Sequence, residues 1–345
     1  MNGAESLIRT LLAGDVDVCF TNPGTSEMHF CAALDKIGGM RCILCLFEGV
    51  VTGAADGYGR MSDKPAGTLL HLGPGLGNGL SNLHNAKKAR TPVVNIVGEH
   101  ATYHVAYDAP LTADIEGIAR PVSDWVRTAI DSKSVASDAA EAIAAARTFP
   151  GAISTLILPA DTAWTEAGGV AEVSVQENPG AVGETAVENC AAALCSGEPA
   201  MLLLGGRALR APTLEIAGRI ALHSNAEIRS ELMSARTERG AGRVTVERIP
   251  YVVDQAVEVL DGIRHLILVG AKAPVAFFAY PDKPSLLIPQ DCKVHVLATA
   301  EEDITDGLER LCDWMGAQTT VPNLELANRP DLCSGELTLE AIWAA

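Results

Sequence analysis

Along the first 160 residues, compact apolar runs alternate with stretches in which apolar residues recur every three or four positions. "AESLIRTLLAG" (4–14) has the helical spacing, and "VDVCF" (16–20) is an apolar run that predicts a strand. The turn "TNPGTSE" (21–27) follows, where Thr25 or Ser26 has the side chain that caps a helix and Glu27 and Met28 fall in the first turn. Next come strand "RCILCLF" (41–47), read as buried, helix "VVTGAADGYGRM" (50–61) and strand "AGTLLHL" (66–72). A glycine-rich loop leads to helix "LSNLHNAKKA" (80–89) and strand "PVVNIVG" (92–98). Helix "SDAAEAIAAARTF" (137–149) and strand "GAISTLILP" (151–159) complete the series. Strands alternating with helices predict a doubly wound parallel α/β domain, assigned to residues 1–165.

Residues 166–184 break the pattern with glycine and polar residues and read as a linker. A second alternation occupies residues 185–317: helix "AVENCAAALCSG", strand "PAMLLLGG", helix "PTLEIAGRIALHS", then strands "HLILVG", "PSLLIP" and "KVHVLA" and helix "ITDGLERLCDWMG". The fold class expected is therefore α/β, with two doubly wound parallel-sheet domains, each a three-layer α/β/α sandwich. Residues 318–345 read as a linker ending on the first turns of a helix, "LTLEAIWAA", and so predict a further domain beyond it.

Aromatic residues make up only 4% of the chain, so Ala, Val, Leu and Ile must build both cores. The formal net charge is −17, and the densest basic cluster, "NAKKAR" (85–90), covers a turn or two of one helix. Nucleic-acid binding needs a positive footprint, and this chain has none. No apolar run approaches the roughly 20 residues that span a bilayer. The start lacks the basic end and apolar centre of a signal peptide, and the protein is expected in the cytoplasm. The nine cysteines agree, being odd in number and scattered through apolar contexts. Cys42 and Cys45 form a C-x-x-C inside a strand rather than at a helix start, and read as small buried hydrophobes.

Three features fall at the carboxyl ends of predicted strands: "NPGT" (22–25), "FEG" (47–49) and "HLGPGLGN" (71–78). Ligands of open parallel sheets bind at that edge. Gly24, Gly73, Gly75 and Gly77 would let backbone approach a flat ligand closely. The stretch "GPGLGNG" is not a dinucleotide fingerprint, because Asn78 holds its third glycine position and a later strand than the first precedes it. His84, His100 and His104 have no metal-site spacing.

Together "TNPGTSE", "FEGVVTGAADGYGR" and "HLGPGLGN" resemble the pyrimidine-binding domain of thiamine-diphosphate-dependent enzymes. The branch they are most similar to is that of acetolactate synthase large subunits and benzoylformate decarboxylase. Residues 185–317 resemble the central domain of that group more loosely. The resemblance implies that Glu48 hydrogen-bonds N1′ of the cofactor's aminopyrimidine, since a carboxyl group held away from water can share a proton with a ring nitrogen. It implies that His71 relays protons to the carbanion intermediate and that Thr25 offers a substrate-side hydroxyl, although Thr25 is equally placed to cap the next helix. Pro23, Gly24, Gly75, Leu76 and Asn78 would line the cofactor pocket. The implied substrate is a 2-keto acid, and the implied assembly a homodimer or homotetramer. The small residues of "GVVTGAADGYGR" would then pack on a second copy, or else on their own sheet.

The family's third domain holds the diphosphate and Mg2+ through a G-D-G run, and no G-D-G occurs in these 345 residues. The metal ligands are thus expected on a separate domain, and the chain alone is expected to bind the cofactor poorly. "LLLGGRALRAP" and "LILVGAKAPVAFFAYP" do not reproduce a flavin site, so FAD is not expected. The other readings are a non-catalytic assembly or regulatory chain, and one subunit of a split enzyme.

Overall fold

The computed structural model of the protein describes residues 1–174 and 178–344. Two compact units, Met1–Pro179 and Gly180–Ala345, divide the chain. Part of the 166–184 linker reading lies outside the described residues. No described helix is long and apolar enough to cross a membrane.

The first unit runs α1 (Gly3–Ala13), β1 (Val18–Asn22), α2 (Met28–Lys36), β2 (Arg41–Leu44), α3 (Glu48–Ser62), β3 (Ala66–Leu70), α4 (Leu72–Ala89) and β4 (Val93–Glu99). It continues through α5 (Ile115–Ala119), β5 (Trp125–Thr128), α6 (Val135–Ala146), β6 (Ile153–Pro159) and α7 (Ala160–Trp164). Its six-stranded sheet has the order β2-β1-β3-β4-β6-β5, every pair parallel. From β1 the chain moves outward to β2 and then returns to the other side of β1 with β3. That reversal makes the carboxyl ends of β1 and β3 a topological switch point.

Side chains alternate across the sheet. Cys19, Leu69, Val94, Ile96 and Leu156 meet Leu7, Ile8 and Leu11 of α1, Phe30 of α2 and Ile143 of α6. Phe20, Leu70, Val97 and Ile157 meet Val51 and Ala55 of α3, Leu76 and Leu83 of α4 and Ile115 of α5. Inside the second layer, Thr68 donates to Asn95 Oδ1 at 2.7 Å and Asn95 Nδ2 donates to Thr155 Oγ1 at 3.0 Å. This buried, satisfied thread specifies the register of β3, β4 and β6.

Helices α3 and α4 approach each other closely. Asn82 Nδ2 donates to the Gly49 carbonyl at 2.7 Å, and Thr52 Oγ1 to the Gly79 carbonyl at 2.9 Å. A Cβ on Gly79 would stand 2.9 Å from Thr52 Cγ2, and one on Gly53 2.9 Å from Asn82 Nδ2. Gly53 of α3 thus serves a contact within the chain.

Two readings of the sequence are corrected here. The run "RCILCLF" is not buried: β2 is the edge strand, bonded to β1 alone, and Leu44, Leu46 and Phe47 are exposed. Cys42 is likewise exposed, and only Cys45 of the pair is buried. The glycine-rich loop is the start of α4, which begins at Leu72. Pro74 is tolerated in its first turn because no intrahelical acceptor awaits an N–H there.

The second unit contains α8 (Glu184–Leu194), β7 (Ala200–Leu204), α9 (Ala211–Ser224), β8 (Glu227–Ser230), β9 (Glu247–Arg248) and α10 (Val253–Leu260). After these come β10 (His265–Val269), β11 (Lys293–Ala298), α11 (Ile304–Met315) and α12 (Leu339–Ala344). The sheet order is β11-β10-β7-β8-β9, again all parallel. Leu202, Leu204, Ile267 and Val269 pack under α8, α9 and α11, while Leu203, Leu266 and Leu268 pack under α10. The predicted strand "PSLLIP" is absent: Leu286 makes one isolated bridge with Val275, and the flanking prolines cannot donate to a ladder. Strands β5 and β8 escape the apolar pattern because Arg127, Glu227 and Arg229 interrupt them.

At the start of β10, His265 Nε2 lies 3.0 Å from Glu198 Oε2, and its Nδ1 lies 3.0 Å from His295 Nε2. Burial first, then His265 and Lys293, holds His295 below the ordinary imidazole value. The folded chain therefore takes up a proton at His295 less readily than the unfolded chain. The associated stability is complete above about pH 6.5, the unfolded imidazole value, and is lost as pH falls through the lowered folded value. Urea unfolding across this range should show a smaller pH slope for His295→Asn than for the parent, and an unchanged slope would contradict the assignment. Packing of α3 on α4 predicts that Gly79→Val costs about 1–3 kcal/mol in the same measurement. Gly57→Ala, where a Cβ would meet open space, should cost nothing.

Candidate active site at the switch point

Strand β1 ends in Asn22, whose Nδ2 donates to the Cys45 carbonyl at 2.8 Å and ties this end to the approach to Glu48. Pro23 and Gly24 follow, half-buried, and Thr25–Glu27 forms one 3-10 turn before α2. The hydroxyls of Thr25 and Ser26 cap neither segment. It is Glu27 that reaches back, accepting the Gly24 N–H at Oε2 from 2.8 Å. Thr25 is exposed. Glu27, by contrast, is only 3% exposed.

Strand β3 passes straight into α4 through His71, the helix N-cap. The turn is made by Leu72, a fully buried leucine at φ 47°. A leucine in the left-handed region costs about 1–2 kcal/mol, and such strain concentrates at functional sites. His71 Nδ1 lies 2.8 Å from Glu27 Oε2. The ring covers Gly24 so closely that a Cβ there would fall 2.3 Å from Nδ1. On β4, a Cβ at Gly98 would fall 1.6 Å from Glu27 Oε1.

Glu48 opens α3 directly after the N-cap Phe47, where a helix dipole favours a carboxylate. Asn78 Nδ2 donates to Glu48 Oε2 at 3.1 Å. Gly75 stands between the two candidate groups: a Cβ there would lie 3.5 Å from His71 Cβ and 3.6 Å from Glu48 Oε1. Leu76 faces the other way and packs into the core. Gly73 is wedged against Ala113, and Gly77 faces open space. Glu48 is half-buried in the single chain, not enclosed as the sequence suggested. The cause is the edge position of β2, which leaves Leu46 94% and Val50 54% exposed beside it.

The fold thus gathers Glu48, Asn78, Gly75, His71, Gly24 and Glu27 around the ends of β1 and β3. Two groups there can exchange protons on either side of a glycine-floored strip. Glu27 was not singled out from the sequence; a Glu three residues after Gly24, at a helix start, is the reach-back half of a capping box and was the available signal. His84 is exposed, and the rings of His100 and His104 lie 5.6 Å apart. Among the described residues no group of three His, Cys, Asp or Glu could hold a metal ion.

Residues 1–119 match the family described as thiamine pyrophosphate enzyme, N-terminal TPP binding domain. The match falls wholly within the first unit. Over 339 residues the chain is 52% identical to IlvX of Mycobacterium tuberculosis, provisionally named an acetolactate synthase large subunit. That match covers 98% of this chain and 65% of IlvX, so the chain spans just under two thirds of that relative's length. Benzoylformate decarboxylase of Pseudomonas aeruginosa is 32% identical over 143 residues, 41% of this chain and 27% of that protein. Among solved structures, the thiamine diphosphate-dependent 4-hydroxybenzoylformate decarboxylase of Rhodococcus jostii shares the fold. Its TM-score is 0.79 over 97% of this chain and 66% of its own, at 18% identity. The three motifs that carried the resemblance lie within the matched residues, at the switch point of the thiamine pyrophosphate enzyme domain.

Proposed function

We propose that this chain is the pyrimidine-binding and central part of a thiamine-diphosphate-dependent 2-keto acid decarboxylase or carboligase of the acetolactate synthase-like type, working in the cytoplasm. The observation that supports this most is the grouping of Glu48, Asn78 and Gly75 beside His71. A half-buried carboxylate held by an amide, next to backbone without a side chain, fits an aminopyrimidine ring. Glu48 would hold a proton at the pyrimidine N1′, with Asn78 fixing the other carboxylate oxygen. Pro23, Gly24 and the backbone at Gly75 and Leu76 would line the ring. When bound, thiamine diphosphate supplies the electron sink for the carbon that loses CO2. His71 would give and take protons at the substrate carbon, and the exposed Thr25 hydroxyl would hold the substrate carboxylate.

A second copy of the chain is the partner that suits the exposed apolar residues Leu46, Phe47, Val50 and Met61 along β2 and α3, next to the half-buried Glu48. Covering them would also remove water from that carboxylate. Mg2+ and the diphosphate require oxygen ligands, which we place on a diphosphate-binding domain outside the described residues.

With such a domain joined to the chain, Glu48→Gln should lower turnover of a 2-keto acid by about 10²–10⁴-fold. Unchanged turnover would overturn the assignment. Isothermal titration of the 345 residues alone with thiamine diphosphate and Mg2+ should give binding weaker than micromolar. Micromolar binding would show that the diphosphate is held within this chain.

A further inference from the structure

We infer that Glu27 is a positioning residue that sets the tautomer of His71, placing the hydrogen on Nδ1 and leaving Nε2 as the ring's proton acceptor. One carboxylate oxygen, Glu27 Oε2, makes both contacts: it accepts the Gly24 N–H and meets His71 Nδ1, each at 2.8 Å. An ionised carboxylate can only accept. With Glu27 ionised, the hydrogen between it and His71 belongs to the ring. The ring remains 24% exposed, which keeps its remaining edge open to a reactant.

A helix cap alone does not account for this arrangement. Accepting the Gly24 N–H needs one acceptor, which a neutral Gln at position 27 would supply. Here the chain buries a whole carboxyl group, and Glu27 Oε1 has no hydrogen-bond partner among the described residues. Leaving a buried acceptor without a partner opposes folding. Two further features hold the pair in place. Gly98 leaves the space that Oε1 occupies, and Gly24 leaves the space for the ring. Leu72, at φ 47°, fixes the backbone from which His71 projects. Three strand ends and a strained turn thus converge on one hydrogen bond. Free histidine prefers its hydrogen on Nε2, so a ring that must accept a proton there needs a neighbour to reverse the preference.

The tautomer is independent of the proposed function; only its catalytic consequence rests on that reading. The test is long-range 1H–15N correlation of the full chain labelled at its eight histidines, at alkaline pH, with His71→Gln used for assignment. The parent should show an unprotonated Nε2 and a protonated Nδ1 at His71. Glu27→Met, which removes the acceptor, should return the ring to the Nε2–H form. Gly98→Ala, which keeps the carboxylate but displaces it, should do the same. Glu27→Gln keeps an acceptor oxygen and should keep the Nδ1–H form. If Glu27→Met does not fold, the parent spectrum and Gly98→Ala decide. A parent ring already in the Nε2–H form, or one unmoved by Gly98→Ala, would overturn the inference. With the diphosphate-binding domain joined, Gly98→Ala should also lower kcat about 10–100-fold with little change in KM. A changed tautomer with unchanged kcat would sustain the role of Glu27 and overturn the catalytic role of His71.

Discussion

The close packing of α3 on α4 is the constraint on which the site depends. Each helix begins at a strand end, α3 with Glu48 and α4 just after His71. Glycine at positions 53 and 79 lets the two axes approach until Thr52 and Asn82 bond across the interface. Larger residues would push the helices apart, and their first turns with them. The distance between the Glu48 and His71 side chains is thus set by packing tens of ångströms of helix, not by the flexible ends of the side chains. The strain at Leu72 serves the same end, since a relaxed strand-to-helix loop would let His71 wander.

Much of this was visible in the chain before any coordinates. Strand ends carrying Glu48 and His71 could be located from apolar runs, because parallel strands covered on both faces read continuously. Helix α4 could not, since Gly73, Pro74, Gly75, Gly77 and Gly79 carry poor helix propensity. The presence of Gly73, Gly75 and Gly79 is explained by what they approach: Ala113, His71 and Thr52. The strand β2 misled for the opposite reason: an apolar run says that residues will be covered, not by what, and in one chain its outer face has no cover. Glu27 was hidden because its partners, Gly24, His71 and Gly98, come from three strand ends.

Similarity to IlvX extends along 98% of the chain, and the matched residues 1–119 contain every residue assigned to the site. In the second unit, the Glu198–His265–His295 chain bears on stability rather than on this site, and its sheet follows the same parallel logic.

The most direct test is a crystal structure of the chain, joined to a diphosphate-binding domain, with thiamine diphosphate bound. The account predicts the Glu48 carboxylate within about 2.6–3.2 Å of the pyrimidine N1′, with Asn78 still on its other oxygen. A pyrimidine ring bound elsewhere, or a Glu48 turned toward open water, would contradict it.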